Sequence, residues 1–254
     1  MTNRDVFNIK EITALYFITI ILFLLSSIYV IDALGIIGIP ITHFISILAP
    51  GLFMTLYLKK NIREIYLIHP VKKIKYFFLG ILLWITAIII SGIYSYYAMR
   101  IFPSEDLIES FNYIFSKTTL TQQIIIMAAV PAVIEEMFFR GIMLNAIKKK
   151  SNIIVAALIS SLLFAVMHFS LIKIFPTFLL GVVFSYVVYK TGSIIPAIFL
   201  HFINNSMSVL IQHILPNIEL DNLSYIYINH KIILLFLIIY IFYEGRMNYE
   251  KTKI

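Results

Sequence analysis

Residues 122–147 read QQIIIMAAVPAVIEEMFFRGIMLNAI, an apolar run long enough to cross a bilayer that nevertheless carries three ionisable residues. These residues are Glu135, Glu136 and Arg140. Ionisable side chains at membrane depth are rare because each costs about 2.5–3.5 kcal/mol on insertion scales, and they mark functional sites by default. The stretch therefore predicts a membrane helix that contributes to a buried polar site.

The composition of the whole chain also indicates a membrane protein. Of its 254 residues, 61% are hydrophobic and 13% are charged, and the mean hydropathy is +0.94. Soluble domains average about 45–50% apolar and about 25% charged residues. The composition excludes a disordered chain, a nucleic-acid-binding domain and an ordinary cytosolic enzyme. The chain has no cysteine, which excludes disulfides, thiolate metal sites and cysteine nucleophiles.

Apolar runs of membrane-spanning length recur along the chain, and none shows the alternating pattern of a β-barrel strand. We therefore predict an all-α polytopic membrane protein with about eight transmembrane helices, which form a single membrane domain over residues 1–254. The predicted spans are residues 12–31, 38–58, 76–99, 122–147, 153–169, 174–189, 194–215 and 232–243.

The distribution of Lys and Arg predicts the orientation of these spans. If the N-terminus is cytoplasmic and eight helices alternate, the inner segments hold 15 of the 20 basic residues and the outer segments hold four, with Arg140 inside the membrane. Positive charge accumulates on the cytoplasmic side of membrane proteins. We therefore expect both termini in the cytoplasm of a multi-pass protein of the cell membrane, with the lipid bilayer and not nucleic acid as its partner.

The charges in the fourth span differ in how they can pair. Glu136 and Arg140 are four residues apart and lie on one helical face, so they are expected to form a buried ion pair. Glu135 projects about 100° away from that face and is left outside the pair. A purely structural pair with a stray glutamate is the alternative, but an uncompensated carboxylate has no packing purpose. Pro131 also frees the carbonyl of Met127, which needs an internal partner or water in lipid.

Three further polar residues lie within later spans. His168 follows Phe164 by one helical turn, and His201 and Asn205 are four apart on another helix. A lone histidine in a membrane helix is often only an interhelical hydrogen-bonding group. His43 in the second span could reach a polar cavity but is interpreted as such a packing group. One carboxylate and two imidazoles in a shared pocket, however, are the groups that activate water and stabilise an oxyanion.

Three motifs in this order resemble the CPBP family of membrane proteases, which is named for CAAX proteases and bacteriocin-processing enzymes and is also known as the Abi family. The motifs are Glu135-Glu136-x-x-x-Arg140, Phe164-x-x-x-His168 and His201-x-x-x-Asn205. The resemblance covers about residues 120–210, which would be the motif-bearing core, and each motif lies on its own predicted helix. The predicted helix count also resembles that of type II CAAX prenyl endopeptidases.

The resemblance implies an intramembrane endopeptidase. It assigns activation of the attacking water to Glu135 with His168, and stabilisation of the tetrahedral oxyanion to His201 and Asn205. The buried ion pair would hold the helix in place. The implied substrate is a hydrophobic peptide or membrane-protein tail, and the choice between prenyl-protein cleavage, peptide processing and bacteriocin immunity stays open.

The family is often classed as metalloprotease-like, so a metal has to be considered. Glu135, His168 and His201 could supply a zinc site with an open position. Against this, the chain lacks an H-E-x-x-H motif, which would place two ligands on one helix. We expect no cofactor, with zinc as the alternative.

Two other functions use the same polar residues. A non-catalytic immunity or binding protein would use the pocket without turnover, and a transporter would use it as a proton relay. A transporter predicts paired broken helices and inverted repeats, and the sequence shows neither.

Overall fold

The computed structural model describes residues 6–102 and 116–214, and these residues form helices and no strands. The helices, numbered in chain order, are α1 (Ile9–Leu34), α2 (residues 38–57), α3 (Ile62–Ile65), α4 (Lys75–Ile101), α5 (residues 120–148), α6 (Ile153–Val166), α7 (Leu171–Thr191) and α8 (Ile195–Ile214). The predicted all-helical class is therefore confirmed for the described part of the chain.

Four apolar helical stretches are long enough to cross a membrane within the described ranges: Ile9–Tyr57, Lys75–Ile101, Leu171–Thr191 and Ile195–His213. The protein is therefore a multi-pass membrane protein. The first seven predicted spans each overlap a helix, whereas the predicted span 232–243 lies outside the described residues. The total of eight crossings and the orientation of the termini stay predictions.

The stretch Ile9–Tyr57 folds back on itself as two packed helices. A 3-10 turn at Gly35–Ile37 separates α1 from α2, and Gly35 at the turn has a φ of 58°, which favours glycine. Gly38 allows the two backbones to approach closely, since a Cβ there would lie 2.7 Å from the Cα of Ile31. Across the hairpin, the Thr42 hydroxyl donates to the carbonyl of Ser26 at 3.3 Å.

Helices α2 and α5 both contain π-helical segments. The parts of α2 are Gly38–His43, π-helical Phe44–Leu48 and Ala49–Tyr57. The parts of α5 are Leu120–Gln123, π-helical Ile124–Ala129, Val130–Glu136, π-helical Met137–Met143 and Leu144–Lys148. Such segments change which face a residue occupies and are frequent at functional sites.

Helix α5 is the central helix of the described bundle. It packs against α1, α2, α6, α7 and α8, and all its residues from 138 to 147 are buried. A helix that is apolar and buried on every side belongs in a protein core. Charges on this part of α5 therefore need partners within the protein and not in lipid.

Candidate active site

The predicted ion pair on α5 is present. Arg140 Nη1 donates to Glu136 Oε1 at 2.8 Å, and both side chains are completely buried. The guanidinium carbon of Arg140 lies 4.5 Å from the ring centre of Phe164 on α6 and 5.4 Å from that of Phe184 on α7. Cation–π contacts of this kind stabilise a desolvated guanidinium. The pair thus holds α5 against two other helices.

His201 extends this pair to α8. Its Nδ1 lies 2.9 Å from Glu136 Oε1, the same oxygen that Arg140 contacts. The imidazole is 5% exposed and stacks on the ring of Phe184, with ring centres 5.3 Å apart and planes 24° apart. The phenyl ring of Phe164 meets it edge-on at 5.8 Å. His201 therefore has little rotational freedom.

Glu135 lies outside the ion pair, as its helical position predicts, but it is not unpaired. Its Oε1 is 3.3 Å from His43 Nε2, and its Oε2 is 3.7 Å from His201 Nε2. The glutamate is 8% exposed. One carboxylate of α5 thus meets imidazoles from α2 and α8. The sequence analysis expected the second of these as a site residue and favoured a packing role for the first.

His168 does not lie inside a membrane helix, which corrects the prediction that its motif occupies one helix. Helix α6 ends at Val166, and Phe169 in the turn that follows has a φ of 45°. His168 nevertheless stays one turn above Phe164, because its Nδ1 donates to the Phe164 carbonyl at 3.0 Å. This bond leaves Nε2 for the site, and the imidazole is close enough to Glu135 to interact with it electrostatically.

Both polar atoms of the Asn205 side-chain amide are hydrogen-bonded. Its Nδ2 donates to the carbonyl of Met127 at 3.4 Å, which is the carbonyl that Pro131 was predicted to free. Its Oδ1 accepts from Asn204 Nδ2 at 3.3 Å, and Asn204 Oδ1 in turn accepts from Trp84 Nε1 at 3.3 Å. A hydrogen-bonded chain from α4 to α5 therefore orients Asn205, and its amide still has a second N–H.

The candidate zinc ligands do not come together as a ligand group. Within residues 6–102 and 116–214, no cluster of three or more His, Asp or Glu side chains is arranged to hold a metal ion. The Nδ1 atoms of His168 and His201 contact the Phe164 carbonyl and Glu136, so that only their Nε2 atoms are left for the site. The arrangement of the described side chains therefore does not itself form a metal site, and the absence of a cofactor stays a prediction.

Sequence reasoning missed two contributors to this site. His43 was considered able to reach the cavity but was interpreted as a packing group, because its only signal was a polar residue in an apolar span. Trp84, the single tryptophan of the chain, gave no signal at all, because its role depends on the packing of α4 beside α8.

Two comparisons with known proteins found matches to this chain. Residues 117–207 match the family model described as "Type II CAAX prenyl endopeptidase Rce1-like". The "Putative membrane peptidase YdiL" of Bacillus subtilis (strain 168) is 33% identical over 89 residues, which are 35% of this chain and 36% of that protein. The match thus spans about a third of the length of the relative. No solved structure matches the chain.

These matches confirm the resemblance to the CPBP and CAAX protease family. The matched segment contains α5, α6, α7 and most of α8, and it therefore includes all three motifs. His43 and Trp84 lie before the matched segment.

Proposed function

We propose that the protein is an intramembrane endopeptidase that hydrolyses peptide bonds of a hydrophobic, membrane-associated peptide or protein tail in the cell membrane. The observation that carries the proposal is the position of Glu135 within 3.7 Å of His201 on another helix, inside the segment that matches an endopeptidase family. A buried carboxylate beside imidazoles is the arrangement required for general-base activation of water.

Glu135 and His168 are proposed to activate the attacking water. Glu135 takes one proton from the water as oxygen attacks the scissile carbonyl, and the same proton then passes to the leaving amine. His168 has Nδ1 bound to the Phe164 carbonyl, so its Nε2 is the nitrogen that can orient the water. Because the site is almost closed to solvent, these electrostatic interactions are stronger than in bulk water.

His201 and Asn205 are proposed to stabilise the tetrahedral oxyanion. Glu136 is already paired with Arg140 and can only accept, so His201 Nδ1 is a donor and Nε2 is the nitrogen on the Glu135 side. When Nε2 also carries a proton, it donates to the oxyanion. The second N–H of the Asn205 amide is the other donor. Donors that are held in place before the reaction are worth most, since they need no reorganisation.

Cleavage of defined peptides by the purified protein tests the proposal. The probes are a farnesylated CAAX peptide and the same peptide without the prenyl group, both in detergent micelles. We expect wild type to cleave at least one probe and Glu135→Ala to leave both intact. Equal cleavage by wild type and Glu135→Ala, or cleavage of neither probe by wild type, would contradict the proposal.

The same assay with a chelator tests the metal requirement. We propose that cleavage persists after treatment with 1,10-phenanthroline, because the described carboxylate and imidazoles supply the proton-transfer groups themselves. Loss of cleavage that added zinc restores would assign the activation of water to the metal.

A bacteriocin challenge of cells that express each variant separates the enzyme from an immunity protein that acts by binding alone. The endopeptidase proposal predicts that any protection by wild type is lost in Glu135→Ala cells. Protection that survives this substitution would favour binding without turnover.

A further inference from the structure

We propose that His43 on α2 is a positioning residue of the same site, which holds one oxygen of Glu135 so that the other oxygen is left for the water. This inference rests on the proposed endopeptidase function and extends the site to a helix outside the segment that matches the family. The contact that points to it joins His43 Nε2 and Glu135 Oε1 at 3.3 Å.

The imidazole of His43 is held on three sides. Its Nδ1 lies 3.0 Å from the carbonyl of Ile39, one turn earlier on α2. The ring of Phe23 on α1 meets it edge-on, with ring centres 6.1 Å apart and planes 87° apart. The third contact is Glu135, and the side chain of His43 is 14% exposed. A ring held in this way presents Nε2 in one direction, which is the property that a positioning group requires.

The hydrogen bonds of His43 also define where the protons lie. A backbone carbonyl only accepts, so Nδ1 must donate to Ile39. A second proton therefore lies between Nε2 and Glu135 Oε1, carried either by the imidazole or by the carboxyl group, because two lone pairs would repel each other at this distance. In both cases Oε1 is occupied. When the imidazole carries the proton, Oε2, on the His201 side, is the carboxylate oxygen that can accept a proton from water. When the carboxyl group carries it, that proton has to pass from Oε1 to His43 Nε2 as Oε2 accepts the proton of the water.

His43 is a hydrogen-bonding partner for Glu135, as Arg140 is for Glu136. A bare carboxylate at membrane depth is costly, and a hydrogen-bonded partner lowers that cost. Lys173 at the start of α7 also interacts electrostatically with Glu135, together with His168 and His201. Among these groups, His43 has the shortest described contact with Glu135, at 3.3 Å.

The protein contains a second His–Glu pair that serves as a matched control. His69 Nε2 lies 3.6 Å from Glu64 Oε1, but the two side chains are 25% and 35% exposed. Glu64 lies on the short helix α3, and its backbone carbonyl accepts from Asn145, which is ten residues along α5 from Glu135. A change that acts only because a His–Glu contact is lost would have similar effects at both pairs.

Steady-state kinetics on the peptide probe that wild type cleaves test the positioning role. We expect His43→Ala to lower kcat about 10- to 100-fold with KM within about twofold, because a misplaced catalytic group reduces the rate and not the binding. His43→Gln retains an N–H donor and should recover at least half of the lost rate on a logarithmic scale. His69→Gln should cleave like wild type. Wild-type kcat in His43→Ala, or no rescue by His43→Gln, would overturn the inference while leaving the proposed function intact.

A double-mutant cycle tests the contact without any substrate. The melting temperatures of wild type, His43→Ala, Glu135→Ala and the double variant are measured in the same detergent. We expect the two changes to be non-additive by about 3 °C or more, since contacting residues couple. The corresponding cycle for His69 and Glu64 should be additive within error, because this pair is more accessible to solvent than His43 and Glu135. Additive effects at His43 and Glu135 would overturn the inference, even if wild type cleaves neither probe and the proposed function fails.

Discussion

Two consecutive carboxylates on α5 have different surroundings. Glu136 is fully buried, and one of its oxygens contacts both Arg140 and His201 at 2.8 and 2.9 Å. Glu135 is 8% exposed, and its two oxygens face His43 and His201 at 3.3 and 3.7 Å. The first carboxylate therefore contacts a permanent cation, whereas the described short contacts of the second are with imidazoles, which can lose or gain a proton.

The difference shows how one helix can carry both a structural anchor, the Glu136–Arg140 pair, and a reactive group, Glu135. Glu136 and Arg140 compensate each other and join three helices through the rings of Phe164 and Phe184. His201 connects the two carboxylates, because its Nδ1 contacts Glu136 and its Nε2 faces Glu135. The anchor thereby positions the imidazole that the proposed reaction uses.

Removal of the Arg140 guanidinium should lower the stability of the protein more than any other change considered. We expect Arg140→Met to lower the free energy of unfolding by about 3–5 kcal/mol, because Glu136 then becomes an unpaired buried charge. This corresponds to a melting temperature about 10 °C lower, measured in detergent. The control is Arg100→Met, since Arg100 is exposed and lies over the ring of Tyr96. Equal melting of Arg140→Met and wild type would contradict the anchor role.

Removal of an oxyanion donor should leave the anchor intact. We expect Asn205→Ala to lower kcat about 100-fold, which is typical for loss of one such donor, with a smaller change in melting temperature than for Arg140→Met. The matched control is Asn145→Ala, because Asn145 donates to the carbonyl of Glu64 at 3.2 Å, away from the site. If both asparagine variants change kcat equally, Asn205 has no specific role in the reaction.

The smallest effect on kcat is expected at Trp84, which reaches Asn205 only through Asn204. Trp84→Phe keeps an aromatic ring but loses the N–H that donates to Asn204. One neutral hydrogen bond contributes about 1 kcal/mol, so we expect kcat to fall about fivefold. The comparison variant is Tyr94→Phe, which loses an exposed hydrogen bond to Leu171 and should leave kcat unchanged. A kcat for Trp84→Phe equal to that of wild type would show that the Trp84 hydrogen bond does not support the reaction.

Sequence alone could predict those parts of the site that depend on local spacing. The Glu136–Arg140 pair follows from positions four apart on a helix, and the exclusion of Glu135 from that pair follows from the 100° step. The free carbonyl of Met127 follows from Pro131, although its partner Asn205 does not. Apolar run length likewise predicted the overlap of the first seven spans with observed helices.

The rest depends on packing between distant segments. The contact of His43 with Glu135 joins residues 92 positions apart, and no spacing rule connects them. The end of α6 before His168 was also missed, because the apolar run continues through Met167 and Phe169 without a proline or glycine. Hydrophobicity alone does not show where such a helix stops.

The most direct test compares Glu135→Gln and Glu136→Gln, purified in the same way. The quantities compared are kcat on the peptide probe and the melting temperature. We expect Glu135→Gln to lower kcat about 1,000-fold and to melt no earlier than wild type, whereas Glu136→Gln should melt several degrees earlier. A Glu135→Gln protein that cleaves the probe at the wild-type rate would contradict the account.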